Sequence, residues 1–413
     1  MEGRPPRTIL VAGAGIGGLT AALAFAERGF RVEIFERVER FEAVGAGIQL
    51  SPNATRILGT LGVLGRLAVT AAAPEAVVLK DGKSLKELAR VPLGKAAETR
   101  WKAPYLVAHR ADLHTALLAR ASEHPGIRLH SGSTVAGISF ENDAVAAMVE
   151  PDGRQEKVTG ALLIAADGVW SGLRHFVKGS RDSRPTGTMA WRTLVETASP
   201  AGRGLVSLAP TNRVTAFLNP ALHMVVYPLR GGTALNLVAL TKGEAGAGSW
   251  TNTTDTTPLA HAMRGFARPL ADLAEAAKPW TAWPIHTVDP NGPWTDPRGL
   301  ALVGDAAHAM TPFAAQGAAM AIEDASALAA LVAGAPNELP AALARYEAIR
   351  RPRIRRVVRR GVFNHFTWHV SGPVALARNL VLAARSPDRL AADFDWLYGW
   401  KTGDEADLTR RRM

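Results

Sequence analysis

Apolar positions come first in short unbroken runs, and later in longer patterns with helical spacing. Residues 9–12 form one such run, of the length of a strand buried on both faces. A glycine-rich turn follows, then a helical pattern over residues 17–28 that stops at Gly29. Residues 31–35 make a second apolar strand that closes on Glu36. Residues 54–61 read as a helix capped by Ser51 or Asn53, residues 75–108 as short strands, and residues 109–123 as another helix. Residues 127–164 read as strands with a turn at Pro151-Asp-Gly153. Residues 186–241 hold several strand-like runs with a hairpin signal at Arg230-Gly-Gly232. Residues 243–257 are rich in Gly and Thr and read as a mobile loop. A buried strand ends at Gly304-Asp305, a helix opens near Gly317, and the rest is helical, broken at Pro352 and Pro373.

The first unit carries chemistry. Gly13, Gly15 and Gly18 fit G-x-G-x-x-G between strand and helix, and Glu36 stands 23 residues after Gly13. Gly13 permits the tight turn, Gly15 lets backbone approach a pyrophosphate, and Gly18 lets the helix pack on the sheet. The helix start offers free N–H groups and a positive dipole end to phosphate. Glu36 can accept hydrogen bonds from an adenosine ribose. Two more strand ends are polar: Asp167-Gly-Val-Trp-Ser171-Gly-Leu-Arg174, and Gly304-Asp-Ala-Ala-His308. Gly45 and Gly47 mark a loop where backbone lies close to a ligand.

Composition narrows the chemistry. With no cysteine, disulfides, thiolate metal sites, iron–sulfur clusters, a cysteine nucleophile and a cysteinyl-linked cofactor are all excluded. The net charge of +11 is concentrated in residues 345–360, which hold eight arginines. Those read as a solvated helix face, with Ile349, Ile354, Val357 and Val358 turned inward; the alternative is attraction of an anionic substrate or cofactor. The run lacks the aromatic interleaving of a nucleic-acid surface. No uninterrupted apolar stretch of about 20 residues predicts a spanning helix, and a cytoplasmic protein is expected. Residues 8–26 have the hydropathy of a signal peptide, but the glycine motif accounts for them better.

Taken together, the three motifs resemble the class A flavoprotein aromatic hydroxylases over nearly the whole chain. Gly45-Ala-Gly-Ile-Gln-Leu-Ser-Pro-Asn53, His223-Met-Val-Val-Tyr-Pro-Leu-Arg-Gly-Gly232 and Trp396-Leu-Tyr-Gly-Trp-Lys401 are similar to the 3-hydroxybenzoate 6-hydroxylase, salicylate hydroxylase and 6-hydroxynicotinate 3-monooxygenase branches. The resemblance implies an α/β fold: a Rossmann-like FAD-binding domain with a β-sheet substrate domain inserted and a C-terminal helical segment. The FAD-binding parts are residues 1–74, 109–180 and 286–340; residues 75–108 and 181–285 form the substrate domain, and residues 341–413 the C-terminal helices.

The implied cofactor is non-covalent FAD, with NAD(P)H as a transient co-substrate that has no second nucleotide motif of its own. Gly13, Gly15 and Gly18 would hold the pyrophosphate and Glu36 the ribose, with Arg37 and Gly47 also on the cofactor. Arg110 would meet the phosphate or ribityl chain and Asp305 a ribityl hydroxyl, and the backbone near Gly317 would face the flavin. Asp167 lies between FAD and nicotinamide functions in this family. The implied reaction is hydroxylation, decarboxylative or not, of a phenolic or hydroxypyridine carboxylic acid by O2 through a flavin C4a-hydroperoxide. His223 is the candidate base, with Tyr227 on the same strand face and Tyr105 as a third pocket residue. Gln49, Arg192 and Pro312 are candidates for substrate contact, Arg192 toward a carboxylate. The 3-hydroxybenzoate branch carries a polar amide where this chain has Pro312. A monomer or homodimer without a metal is expected.

Other outcomes on this fold are a halogenase, a reductase or a non-catalytic flavin-binding sensor. Halogenases need an early W-x-W-x-I-P and a lysine, and Trp280-Thr-Ala-Trp-Pro-Ile285 has the wrong spacing and lies too late. Baeyer–Villiger enzymes need a second nucleotide motif, which the chain lacks.

Overall fold

The computed structural model describes residues 7–41, 47–141, 144–151, 154–243 and 255–403. Gly45, the Asp152-Gly153 pair and residues 244–254 of the expected loop lie outside the described residues, as does the end of the basic tail. Strand Thr8–Ala12 pairs in parallel with Arg31–Glu36 and with Leu162–Ala165. Parallel strands are covered on both faces, which is why their sequences are unbroken apolar runs; Ile9, Leu10, Val11 and Leu162 to Ala165 are fully buried. Leu300–Leu302 and Thr295–Asp296 extend this sheet on one side and Ile127–Ser131 on the other. Helix Ile16–Ala26 packs between the sheet and helix Gly317–Gly334. The strands ending at Ala12, Ala165 and Leu302 all feed the glycine- and aspartate-bearing loops. These loops therefore gather at the carboxyl edge of the sheet, where open α/β sheets bind ligands.

A second sheet has seven strands, in the order Thr281–Val288, Ser183–Glu196, Ala234–Lys242, Leu222–Leu229, Arg213–Leu218, Ala76–Asp81 and Glu87–Pro92. Its pairings are antiparallel except between Arg213–Leu218 and Ala76–Asp81. Strands from residues 75–108 and 181–285 thus share one sheet, and the strand Thr281–Val288 continues past residue 285. Gly47–Leu50 and Leu106–His109 form a separate two-stranded antiparallel sheet.

Three local expectations change. Asn53 is not a cap: it lies inside helix Pro52–Thr60, is buried, and donates to Glu323 at 2.7 Å. Pro352 does not break its helix, which runs from Leu339 to His369. A proline inside a helix costs about 3 kcal/mol; here Arg350 and Arg353 on either side of it are both bound to Glu323, at 2.6 and 2.5 Å. Pro373 sits in the first turn of the next helix, Gly372–Ala383, where its missing N–H costs little.

The third change concerns the arginine run. Arg350 is fully buried, not solvated. It binds Glu323 and, at 2.7 Å, Asp324, two buried acids on helix Gly317–Gly334. That helix is long and apolar enough to cross a membrane by length and composition, yet it is mostly buried inside the protein. Its two adjacent acids are answered by arginines from the neighbouring helix.

Removing one partner of a buried ion pair typically costs about 3–5 kcal/mol. Arg350→Met should therefore lower the urea midpoint strongly, and an unchanged midpoint would show that the pair contributes nothing. Burial raises the Asp324 carboxyl, but His308 and Arg350 outweigh it and bring its pKa down to about 2. Its stabilisation is whole above the unfolded value of about 3.9 and is lost as pH falls toward 2. Arg350→Met should weaken that acid dependence.

Candidate active site

The glycine turn is shaped by what surrounds it. Gly13 has φ +99°, and a Cβ there would strike the Ala166 carbonyl; a Cβ on Gly18 would strike the Gly13 carbonyl. Gly15 differs: nothing lies within 4 Å of where its Cβ would stand. It opens helix Ile16–Ala26, whose start no side chain caps. The free N–H groups of that first turn face a cleft of about 310 Å³. Glu36 closes one end of the turn, accepting from Ala14 N at 2.7 Å and from Val38 N at 3.1 Å. Arg37 is exposed beside it.

The opposite wall is a second helix start. Helix Gly317–Gly334 also lacks a side-chain cap, and Gly317 has open space before it. Asp305, exposed, opens the short helix Asp305–His308, and Arg110 opens helix Arg110–Ser122; both line the cleft. Gly47 has a different reason for being glycine: a Cβ there would collide with the ring of Tyr227. Its N–H donates to Asn236 Oδ1 at 3.0 Å.

Asp167 flanks the cleft without lining it. Burial pushes its carboxyl above the ordinary range, and its Oδ1 is buried without a hydrogen-bond partner among the described residues. Arg174 of the same motif donates to the carbonyls of Ala306 at 2.8 Å, Val169 at 3.0 Å and Asp305 at 3.3 Å. It clamps the Asp167 loop to the Asp305 loop. Arg192 lines the cleft, stacked over Trp283 at 4.0 Å, and burial pulls its pKa down to about 10.

A second cavity, of about 730 Å³, adjoins the cleft. Gln49, His223, Val225, Pro312 and Ala315 line both. Tyr105 lines the larger one and donates to Gln49 Oε1 at 2.7 Å. His223 and Tyr227 lie on strand Leu222–Leu229, four residues apart, and both face the cleft. The far wall is made by helices Leu339–His369 and Gly372–Ala383 and by residues 390–398.

His223 is buried, and burial, with the imidazoles of His369 and His365, holds its pKa well below the ordinary range. It is therefore neutral at pH 7. His369 Nδ1 lies 2.7 Å from the His365 carbonyl, which can only accept, so that nitrogen carries the proton. His369 Nε2 is then an acceptor, and His223 Nδ1, 3.2 Å away, is its donor. This network assigns the tautomer: His223 Nε2 is left as a bare acceptor at the boundary of the two cavities.

The FAD binding domain family matches residues 7–361 of the chain. The chain belongs to that family. A 3-hydroxybenzoate 6-hydroxylase of Aquipseudomonas alcaligenes is 34% identical over 95% of this chain and 98% of its own. A 3-amino-4-hydroxybenzoate 2-monooxygenase of Streptomyces platensis is 35% identical over 95% and 96%. Among solved structures, Klebsiella pneumoniae HpxO with FAD and uric acid superposes with TM-score 0.80 at 26% identity, over 95% and 96% of the two chains.

The residues of this flavoprotein fit FAD on their own terms. Two uncapped helix starts converge on one cleft, one at Gly15 and one at Gly317, each with open space where a side chain would stand. One suits a pyrophosphate and the other an electron-rich flavin edge. His369, His365 and Asn236 did not stand out in the sequence. Only the two-residue offset of Asn236 from an otherwise apolar strand, and the histidine pair four apart in residues 365–369, were signals.

Gly15→Val would fill the space before the first helix. The variant should purify without flavin, read by visible absorbance against protein concentration. Full flavin content would place the pyrophosphate elsewhere.

Proposed function

We propose that this flavoprotein hydroxylates a phenolic aromatic or hydroxypyridine carboxylic acid, with NAD(P)H as transient reductant and O2 as oxygen source. The observation that carries this reading is the bare Nε2 of His223 at the junction of cofactor cleft and chamber. Bound FAD supplies the redox chemistry: it takes electrons from NAD(P)H and activates O2 toward an electron-rich ring.

The protein's part is binding, orientation and proton movement. The turn at Gly13, Gly15 and Gly18 takes the pyrophosphate, Glu36 the ribose, and Arg37 and Arg110 the neighbouring phosphate. Gly47 bounds the flavin side, Asp305 takes a ribityl hydroxyl, and the helix start at Gly317 faces the ring. Asp167, turned inward, supports the loop instead of touching the cofactor. The aromatic ring lies between Pro312 and His223, with Tyr227, Gln49 and Tyr105 around it. Gln49 keeps its amide N–H groups for the substrate, because its oxygen is taken by Tyr105. Arg192 stands on the cofactor side of the boundary.

A phenol O–H donates its proton to His223 Nε2. The ring would then be a buried imidazolium, which its surroundings disfavour. Release of the Nδ1 proton to His369 Nε2 relieves that cost, and His369 and His365 lead toward the exposed helix surface. The base is thus neutral when needed and has an exit for the proton.

The test is NAD(P)H oxidation and O2 uptake by holoenzyme with a panel of hydroxylated benzoates and pyridine carboxylates. No stimulation by any ring would leave a flavin-binding sensor. With a substrate in hand, His223→Ala should slow product formation about 10²–10⁴-fold while NAD(P)H oxidation continues and H2O2 rises. High pH should partly rescue it by ionising the phenol; full coupling at wild-type rate would make His223 a packing residue. The acid limb of wild-type kcat/KM should lie below the ordinary imidazole value of about 6.5, since His223 is held neutral.

His369→Leu removes the acceptor for His223 Nδ1–H, a hydrogen bond of about 0.5–1.5 kcal/mol. Product formation should fall several-fold and the acid limb should move. His369→Gln, which keeps an acceptor oxygen, should restore much of both. Equal behaviour of the two variants would mean that His369 does not position the base.

A further inference from the structure

The large cavity is poorly matched to a single small ring. Its volume of about 730 Å³ lies in the upper part of the 300–1,000 Å³ range that encloses drug-sized ligands. Its wall on the second sheet is apolar, from Val77, Leu79, Val91 and Val214 with Phe313 beside them, and at the far side, on the helices, it turns cationic. Four arginines line it, against one acid, Asp393. Arg385 is paired with Asp393 at 2.6 Å, and Arg378 is engaged by Asn379 and by the Thr367 carbonyl. Arg356 is exposed at the rim, stacked on Trp396 at 4.0 Å.

Arg360 is different. It makes no ion pair among the described residues, and its Nε is buried without a hydrogen-bond partner there. It lies 4.7 Å from the Phe394 ring. Arg360 is half-buried, and an inner N–H held out of water without an oxygen partner is costly unless something else supplies one. Burial is the largest influence on it and lowers its pKa, with Tyr398 and Asp393 opposing. Arginine nevertheless stays charged at neutral pH.

Arg360 stands nine residues before His369 on one continuous helix, and His369 touches His223. At 1.5 Å per residue, this places Arg360 roughly 13 Å along the helix axis from His369, the residue in contact with His223. A ring with its carboxylate attached directly is too short to reach both ends. We infer that the substrate is an extended aromatic acid, its hydroxylated ring at His223 and its anionic group, carried on an apolar arm through the chamber, at Arg360. This rests on the hydroxylase reading of the same site and names the substrate's shape and charge. The guanidinium fork suits a carboxylate, sulfonate or phosphate, and the apolar wall suits a methylene or aryl spacer.

The experiment is equilibrium binding to the oxidised holoenzyme, read from perturbation of the flavin absorbance, so that turnover is not required. The probes are hydroxyphenyl rings joined to a carboxylate by none, two, four, six or eight methylenes, each beside its methyl ester. Wild type should bind an acid of intermediate or long spacer at least about tenfold tighter than hydroxybenzoate and than its own ester. Arg360→Met should abolish that preference and leave ester binding and flavin content unchanged, while Arg360→Lys should keep part of it. Affinity that ignores spacer length, or acid and ester weakened equally in Arg360→Met, would overturn the inference. If instead the long acids bind through Arg360 but no ring stimulates NAD(P)H oxidation, the binding site stands and the hydroxylase reading fails.

Discussion

Glu323 and Asp324 are adjacent, fully buried acids in the middle of an apolar helix, and the site depends on how they are neutralised. Burial alone would push both carboxyls up and leave them protonated. Arg353 and Arg350 hold Glu323 below its ordinary value against that tendency; His308 and Arg350 do the same for Asp324. Each acid then uses its charge to fix a neighbour. Asp324 accepts from His308 at 2.5 Å and from Gly304 N at 3.0 Å, so it anchors the loop that presents Asp305. Glu323 accepts from Asn53, which with Ser51 and Gln316 ties helix Pro52–Thr60 to the start of helix Gly317–Gly334.

One charged cluster therefore orients both the Asp305 loop and the uncapped helix start at Gly317. The same arginines fix helix Leu339–His369, which continues past Pro352 to place His369 against His223. The helix also carries Asn364, which donates to the Phe313 carbonyl at 3.0 Å and holds the Pro312 turn against the chamber. Cofactor cleft and larger cavity are set relative to each other through this helix. A well-packed apolar substitute for the cluster would often be as stable, but it would not specify where two loops and two helices meet.

What the sequence made legible was local. The glycine turn, the Asp167 and Asp305 loops and the strand bearing His223 and Tyr227 are each contiguous, and backbone sterics or strand periodicity gives their meaning within a few residues. The pairing of Tyr105 with Gln49 was not legible as a contact, although both residues stood out. Most of the arginine run follows the expectation, with Arg345, Arg355, Arg356 and Arg359 exposed and Ile354 and Val357 turned inward; Arg350, fully buried, was misread because charge in a helix usually means solvent. The counter-signal lay elsewhere, in two acids side by side within the apolar stretch of residues 317–334. Such a pair cannot be buried without cations, and the nearest supply was the next helix. Pro352 was misread for the same reason: a local penalty was weighed without the distant ion pairs that offset it. His369 was silent because its partner is 146 residues away.

Under the proposed role of His223, the boundary between the cavities explains why a histidine can serve here at all. A solvent-facing imidazole would be partly protonated near neutral pH, and water would compete for its nitrogen. At the boundary, burial keeps His223 neutral and the His369 contact directs its bare nitrogen inward. The same burial would trap a captured proton if the ring were isolated. A neighbour that accepts at one nitrogen and is itself half-exposed can take that proton and release it to solvent. In that role a dry, oriented base and a wet exit are opposing demands, and one helix face meets both by carrying His369, against His223, four residues from the exposed His365.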